Sequence, residues 1–153
     1  MIHANPNLLG QPQAILAVGS GVLLGEQIAR RAHANQFRRD GVTPYIEHPA
    51  AVAAWLSGND DDTIATAWLH DVIEDTAENG VTLRAAGVSE NVIRAVMALT
   101  KHPGQEYDEY IKNVKKNPMA RKVKIADMIN NLCDMPTSAQ IKKYNRGLKA
   151  LLA

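Results

Sequence analysis

The stretch His70-Asp71-Val72-Ile73-Glu74-Asp75-Thr76 follows an apolar run and is predicted to form the C-terminal half of a helix. Side chains three and four residues apart on a helix share a face, so Glu74 is expected beside both His70 and Asp71. Asp75 is expected on the same face because it is four residues after Asp71. Clustered carboxylates at a helix C-terminus need a compensating cation, since the helix dipole disfavours negative charge there. The neighbouring imidazole indicates a metal ion rather than a lysine, although a solvated acidic helix end is the alternative.

The composition is typical of one globular domain. The 153 residues are 46% hydrophobic and 22% charged. The net charge of +1 conceals a basic C-terminal part, but its lysines are expected on solvated helix faces, so no dedicated nucleic-acid surface is indicated. The apolar run at 14–24 is interrupted by Gly19-Ser20-Gly21 and is too short to span a membrane. No Lys or Arg precedes Arg30, so a signal peptide is not indicated. The single cysteine, Cys133, cannot form an internal disulfide, and we expect a cytoplasmic protein.

Helical periodicity is present along most of the chain, and no stretch shows the alternation typical of a β-strand. The fold is therefore predicted to be all-α, with seven or eight helices. Because the first residues are rich in Asn, Pro and Gly, residues 1–20 are predicted to be a poorly ordered extension of a single domain at 21–153. Helices are expected at about 22–37, 49–56, 61–75, 82–86, 90–100, 105–116, 119–133 and 136–152.

Two loop segments offer polar groups to the His70 face. His48 directly precedes Pro49, which is a favourable first residue of a helix, so the imidazole has a position fixed by the loop. A structural capping role is the alternative for His48. The second segment is the basic loop 36–41, in which Arg38 could clamp a nucleotide, and its alternative is a solvated turn.

A third segment places a carboxylate inside an apolar helix. Asp127 lies among Ile, Ala and Met residues, and an unpaired buried carboxylate is costly, so Asp127 is expected to have a partner. Asn131 is four residues later and shares its face. The alternative for Asp127 is a salt bridge to Lys124 or Lys101.

Together these segments resemble a known signature. His48, His70-Asp71 and Asp127 are similar to the H…HD…D pattern of the HD phosphohydrolase superfamily, and the chain more closely resembles the hydrolase domain of RelA/SpoT-type proteins and small alarmone hydrolases. The matching stretches are Ala32-His33-Ala34-Asn35-Gln36-Phe37-Arg38, Pro44-Tyr45-Ile46-Glu47-His48-Pro49, Leu69 to Thr76, Leu99-Thr100-Lys101, Val123 to Asp127, and Asn131-Leu132. The resemblance covers roughly residues 22–151.

The resemblance implies an all-α HD-domain bundle with one Mn²⁺ per chain, and the ligand set would accept other divalent transition metals as well. It assigns the metal to His48, His70, Asp71 and Asp127. It assigns catalysis to Glu74 and Asp75, which orient or deprotonate the attacking water and assist the leaving group.

The resemblance also implies how a nucleotide is bound. Arg38 would stack on the purine and Asn131 would hydrogen-bond the nucleotide, whereas Lys101 and Lys124 would contact phosphate or support the metal ligands. The expected partner is thus a small-molecule nucleotide, with no nucleic acid and no membrane, and the sequence does not indicate the oligomeric state.

The implied activity is removal of the 3′-pyrophosphate from (p)ppGpp, which gives GDP or GTP. An HD-type hydrolase of another nucleotide, such as ppApp or NADPH, is the alternative, and a non-catalytic nucleotide-binding or toxin-neutralising protein is a third reading that the intact Glu74-Asp75 pair argues against. The sequence departs from the family in a longer loop at 41–44, in Asp40 and in Cys133. No synthetase domain follows, so degradation alone is expected.

Overall fold

The computed structural model describes residues 19–153, and these residues form nine helices and no β-strand. The prediction of an all-α fold is confirmed. The helices are α1 (Ser20–Ala32), α2 (Glu47–Trp55), α3 (Asp61–Leu69), α4 (Val72–Asp75), α5 (Gly80–Ala85), α6 (Glu90–Leu99), α7 (Tyr107–Lys115), α8 (Pro118–Leu132) and α9 (Ser138–Leu152). Most of the predicted N-terminal extension, residues 1–18, lies outside the described residues. From residue 19 onward, no helix combines the length and apolarity needed to cross a membrane.

Side-chain caps fix where several helices begin. Asp60 accepts a hydrogen bond from the backbone N–H of Thr63, and Ser89 and Asn117 cap α6 and α8 in the same way. Thr137 forms a capping box at the start of α9, two residues later than predicted. These starts are local signals, and a short polar side chain before an apolar periodic segment is enough to indicate them.

The predicted single helix through His70 and Asp75 is wrong, because the chain leaves the helix between α3 and α4. The Nδ1–H of His70 donates to the carbonyl oxygen of Ala67 at 2.7 Å. In a continuous helix, that oxygen would accept from the backbone N–H of Asp71. The imidazole therefore takes the place of a helical hydrogen bond, and His70 and Asp71 are displayed from a turn rather than from one helix face.

The first helix is also shorter than predicted. α1 ends at Ala32 instead of continuing to Phe37, because Asn35 adopts a left-handed conformation with φ of 65°. The chain then reverses through a short loop in which Phe37 pairs with Pro44 in a single antiparallel bridge. This reversal places Arg38, as predicted, in a loop, and that loop borders the site.

Helix α3 is the centre of the molecule and packs against α1, α2, α6 and α8. Its close approach to α1 depends on Gly25, where an added Cβ would lie 3.3 Å from the carbonyl oxygen of Ala65. Trp68 and Leu69 are buried in the core at the C-terminal end of α3. Because α3 ends inside the molecule, the turn that follows it carries His70 into the interior, where α2 and α8 meet it.

Candidate metal centre and its cavity

Four polar side chains from three segments converge in the interior. The Nε2 atoms of His48 and His70 are 3.3 Å apart. His48 Nε2 lies 2.9 Å from Asp127 Oδ1, and His70 Nε2 lies 2.9 Å from Asp71 Oδ2. The two remaining imidazole-to-carboxylate distances, His48 to Asp71 and His70 to Asp127, are 3.7 Å and 3.6 Å. Metal-ligand bonds of about 2.0–2.2 Å place neighbouring ligand atoms about 3–3.5 Å apart. His48, His70 and Asp71 each offer a ligand atom within 4.8 Å of the others, so these three have the dimensions of a metal site, and Asp127 lies beside both imidazoles.

Both imidazoles are oriented for metal binding. His70 donates from Nδ1 to the backbone oxygen of Ala67, and His48 Nδ1 lies 2.7 Å from Asn130 Oδ1. A histidine that donates from Nδ1 presents Nε2 as its metal-binding nitrogen, and such outer hydrogen bonds fix the ring in place. The sequence analysis missed Asn130, which follows Asp127 by three residues and is positioned to reach a different partner from Asn131.

The carboxylates favour positive charge at the centre of the cluster. Burial opposes the charged form of His70, yet Asp71 and Asp127 raise its pKa well above the ordinary value. Burial would also raise the pKa of Asp71, but the adjacent His70 holds that pKa well below its usual range. A divalent cation would satisfy the same two carboxylates, so the donor set of two imidazoles and two carboxylates fits a metal such as Mn²⁺, Fe²⁺ or Zn²⁺.

Asp127 is held by more than its imidazole neighbours. Lys124 Nζ lies 2.7 Å from Asp127 Oδ2, and Asn131 donates to Asp127 Oδ1 at 2.9 Å. Burial alone would raise the pKa of Asp127, but the Lys124 ammonium holds it well below the usual range. The alternative interpretation of Asp127 as one half of an ion pair with Lys124 is therefore compatible with metal binding, because the two oxygens face different partners.

Two further carboxylates lie beside the cluster on α4. Asp71, Glu74 and Asp75 each present an oxygen within 4.8 Å of the others. Glu74 accepts a hydrogen bond from the backbone N–H of Lys101 at 2.7 Å, so the family-matching residue Lys101 contacts Glu74 through its main chain. Desolvation on the cavity wall raises the pKa of both Glu74 and Asp75 above their ordinary values. Carboxyl groups with raised pKa values are suited to exchanging protons with water or substrate.

Tyr45 links the cluster to these carboxylates and was not among the residues assigned a role from the sequence. Its hydroxyl donates to Asp71 Oδ2 at 2.6 Å and lies 3.2 Å from Asp75 Oδ2. Burial and the nearby carboxylates raise the pKa of Tyr45, so the phenol stays protonated and acts as a donor. In the sequence, Tyr45 could have been noticed because it lies three residues before the candidate ligand His48. A tyrosine hydroxyl that becomes buried near such a site needs a hydrogen-bond partner.

The cluster opens into a cavity of about 530 Å³, which is the size of a small-molecule site. The residues assigned to the site from the sequence all contribute to the metal cluster or to this cavity. The wall also carries residues that the sequence analysis did not select, which are Phe37, Arg39, Tyr45, Tyr107, Tyr110, Asp134, Gln140, Lys143 and Tyr144. Most of these come from α7 and α9, which carry none of the motif stretches used in the sequence analysis.

Arg38 lies at the edge of the cavity in a fixed position. It donates to Asp134 Oδ2 from Nε at 3.1 Å and from Nη2 at 2.7 Å, and its Nη2 also donates to Asn131 Oδ1 at 3.0 Å. Its guanidinium carbon lies 5.6 Å from the centre of the Tyr45 ring. The alternative of a solvated turn is wrong for this residue, because its side chain is only 16% exposed.

The chain matches a known protein family and a solved structure. The family model described as HD domain matches residues 26–149. A solved structure described as "A metazoan ortholog of SpoT hydrolyzes ppGpp and plays a role in starvation responses" has a TM-score of 0.70 and 25% sequence identity. That match covers 87% of this chain and 84% of the other.

Curated relatives share the same region. The bifunctional (p)ppGpp synthase/hydrolase RelA of Mycobacterium tuberculosis is 33% identical over 140 residues, covering 82% of this chain and 19% of that protein. The guanosine-3′,5′-bis(diphosphate) 3′-pyrophosphohydrolase of Haemophilus influenzae is 36% identical over 118 residues, covering 69% of this chain and 17% of that protein. The chain therefore spans less than a fifth of the length of these two relatives.

Proposed function

Because the chain belongs to the HD domain family, we propose that it is a divalent-metal-dependent hydrolase that removes the 3′-pyrophosphate of ppGpp or pppGpp. The products are GDP or GTP and inorganic pyrophosphate. The observation that carries this proposal is the cluster of His48, His70, Asp71 and Asp127 at the base of a nucleotide-sized cavity, with Glu74 and Asp75 beside it. Relatives and a structural neighbour named for ppGpp hydrolysis support the choice of substrate.

The four ligands would hold one Mn²⁺ per chain. When bound, such an ion lowers the pKa of a water molecule and polarises a phosphate oxygen. His48 and His70 contribute neutral nitrogen ligands whose direction is set by Asn130 and by the Ala67 carbonyl. Mn²⁺ is our choice from the family, and the mixed imidazole and carboxylate set would also accept Fe²⁺ or Zn²⁺.

Glu74 and Asp75 would manage the protons of the reaction. The water oxygen bonds to the phosphorus attached to the 3′ oxygen, and the bond between that phosphorus and the 3′ oxygen breaks. Glu74, held by the Lys101 N–H, accepts a proton from the water. Asp75, which lies beside Glu74 on the same wall, in its protonated form donates a proton to the departing 3′ oxygen.

The remaining wall residues would bind the nucleotide. Arg38 has the planar guanidinium that can stack on a purine, and Asn131 fixes Arg38 while lying on the cavity wall itself. The Lys101 side chain would contact a substrate phosphate, whereas Lys124 would act through Asp127, with which it forms an ion pair. We propose the cytoplasm as the setting, in agreement with the single cysteine, Cys133.

The proposal is tested by incubating the purified protein with Mn²⁺ and, separately, with ppGpp, ppApp and NADPH, and by separating the products. We expect GDP and pyrophosphate from ppGpp, and a much slower reaction with the other two nucleotides. Asp71→Asn, which alters a proposed metal ligand, should lose the reaction. Asp108→Asn is its matched control, because Asp108 is an exposed carboxylate that pairs with Arg146 and does not line the cavity. Preferential turnover of NADPH or ppApp would replace the proposed substrate, and tight nucleotide binding without turnover would favour a non-catalytic protein.

A further inference from the structure

Asp134 stands apart from the other carboxylates of the cavity. Five carboxylates line its wall in the described part of the chain, and four of them surround the candidate metal centre. Asp134 instead follows the end of α8, where the helix dipole disfavours negative charge. Two hydrogen-bonded side chains, Arg38 and Asn131, separate it from Asp127. Neither metal binding nor proton transfer explains a carboxylate at this position.

The contacts of Asp134 leave part of its carboxylate available. Both hydrogen bonds from Arg38 end on the same atom, Oδ2, at 3.1 Å and 2.7 Å. A carboxylate has about four lone-pair directions on two oxygens, so Oδ1 retains its capacity to accept. The Asp134 side chain is 55% exposed, whereas that of Arg38 is 16% exposed. The pair thus consists of a partly buried, hydrogen-bonded cation and an exposed carboxylate on the cavity wall.

The position of Asp134 relates directly to a base stacked on Arg38. A base that stacks on the guanidinium lies parallel to its plane, and Asp134 is bound at the edge of that plane. The carboxylate therefore lies below the rim of the base, out of its plane, and Oδ1, which Arg38 does not hold, is the atom that can reach the donors on that edge. Hydrogen-bonding groups on the edges of bases, and not their faces, distinguish one base from another.

A carboxylate selects among purines by hydrogen-bond polarity. An ionised carboxylate can only accept hydrogen bonds. Guanine presents two adjacent donors, N1–H and the N2 amino group, whereas adenine presents a lone pair at N1. Hypoxanthine keeps N1–H and lacks the amino group. We propose that Asp134 is a specificity-determining residue that accepts hydrogen bonds from N1–H and N2–H of guanine and so rejects adenine. This inference rests on the proposed function, because it places the purine on Arg38.

The test compares the dissociation constants of GDP, IDP and ADP by calorimetry, with Mn²⁺-loaded wild type and Asp134→Asn. The asparagine preserves the shape and still accepts from Arg38, but it replaces one acceptor oxygen by a donor. We expect GDP to bind wild type about ten- to a hundredfold more tightly than ADP, with IDP between them. In Asp134→Asn the dissociation constants of GDP and ADP should become nearly equal, and that of IDP should no longer differ from that of GDP.

The outcomes separate recognition from mere support of Arg38. If Asp134 only held Arg38 in place, Asp134→Asn would weaken GDP and ADP by the same factor, and that result would overturn the inference. Equal binding of GDP and ADP by wild type would overturn it as well. Glu90→Gln serves as the matched control, because Glu90 is an exposed carboxylate paired with Arg84, and neither of these residues lines the cavity.

A parallel hydrolysis assay with ppGpp keeps the two proposals distinct. A wild-type protein that prefers GDP through Asp134 and hydrolyses no alarmone would support the inference while the proposed reaction fails. A protein that hydrolyses ppGpp and ppApp with equal kcat/KM would support the reaction while overturning the role of Asp134.

Discussion

The hydroxyl of Tyr45 donates a hydrogen bond to Asp71 Oδ2 at 2.6 Å, and this contact joins the loop before α2 to the turn between α3 and α4. The same oxygen of Asp71 faces both imidazoles of the candidate metal centre. One tyrosine thus sets the direction of a proposed metal ligand. It also lies within reach of Asp75, a proposed catalytic carboxylate.

Tyr45→Phe should weaken Mn²⁺ binding or kcat by about ten- to a hundredfold, the usual effect of removing an outer hydrogen bond to a metal ligand. Calorimetric titration with Mn²⁺ beside steady-state kinetics measures both quantities. Tyr110→Phe is the comparison, because Tyr110 lies on the same cavity wall but its buried hydroxyl donates to the Leu99 carbonyl and not to a proposed metal ligand. The control should lose about 1 kcal/mol of unfolding free energy and keep its metal affinity. A Tyr45→Phe variant that keeps both the metal affinity and the kcat of the wild type would show that Tyr45 has no role in the site.

Removing the metal should abolish hydrolysis, and Mn²⁺ should restore it better than Mg²⁺, because imidazole ligands suit Mn²⁺ better. Elemental analysis should give one ion per chain. Binding should also raise Tm, since an ion that binds only the folded state stabilises it. His48→Gln should lose this stabilisation, whereas His102→Gln, at an exposed histidine outside the cluster, should keep it. Full activity after prolonged dialysis against excess chelator would contradict the whole metal site.

Arg38→Lys keeps the positive charge and the attraction to Asp134 but loses the planar stacking surface. Base stacking contributes about 1–3 kcal/mol, so KM should rise by about tenfold or more while kcat changes little. The preference for purines over pyrimidines should decrease at the same time. Arg39→Lys is the comparison, because the Arg39 guanidinium bonds Gln140 and the Met135 carbonyl rather than the metal-centre network. An unchanged KM for every nucleotide in Arg38→Lys would exclude stacking on this residue.

Asp71→Asn and Glu74→Gln should separate a metal ligand from a proton acceptor. Asp71→Asn replaces a charged ligand by a neutral amide, so metal content and rate should fall together. Glu74→Gln leaves all four proposed ligands intact, so metal content should stay near one ion per chain while kcat falls by about 10²–10⁴. If Glu74→Gln loses its metal as fully as Asp71→Asn, Glu74 is a ligand and the assignment is wrong. A wild-type rate in Glu74→Gln would mean that Asp75 or a bound water acts as the general base.

Gly147 in α9 is expected to be essential for the packing that closes the cavity wall. A Cβ at this position would lie 2.5 Å from the Tyr107 hydroxyl and 2.8 Å from Met128 Cε. Gly147→Ala should therefore destabilise the protein by about 1–3 kcal/mol, as overpacking does. Gly21→Ala is the matched helical control, because an added Cβ there meets nothing within 4 Å, and it should be neutral or slightly stabilising. Denaturant unfolding measures both, and equal stabilities would show that α9 shifts freely.

Helix type and helix starts could be predicted from the sequence because they depend on neighbours in the chain. Asp60, Ser89 and Asn117 cap helices by accepting from backbone N–H groups two or three residues later. The family signature likewise singled out His48, His70, Asp71 and Asp127, because their residue types and order suffice to identify it. The roles proposed for those residues remain predictions for the variants above to test.

The tertiary structure alone decided which partners these residues have. The break after Leu69 arises because the His70 side chain replaces a helical hydrogen bond, and local periodicity carries no sign of it. The Arg38–Asp134 pair joins residues 96 positions apart, and the Tyr45–Asp71 bond joins residues 26 apart. Local patterns report on one to two helical turns, whereas such contacts depend on how α1, α2, α3 and α8 pack around a shared core. The sequence alone therefore determined the helical class, most helix starts and the kind of chemistry, whereas packing decided where α1 and α3 end and which oxygen faces which nitrogen.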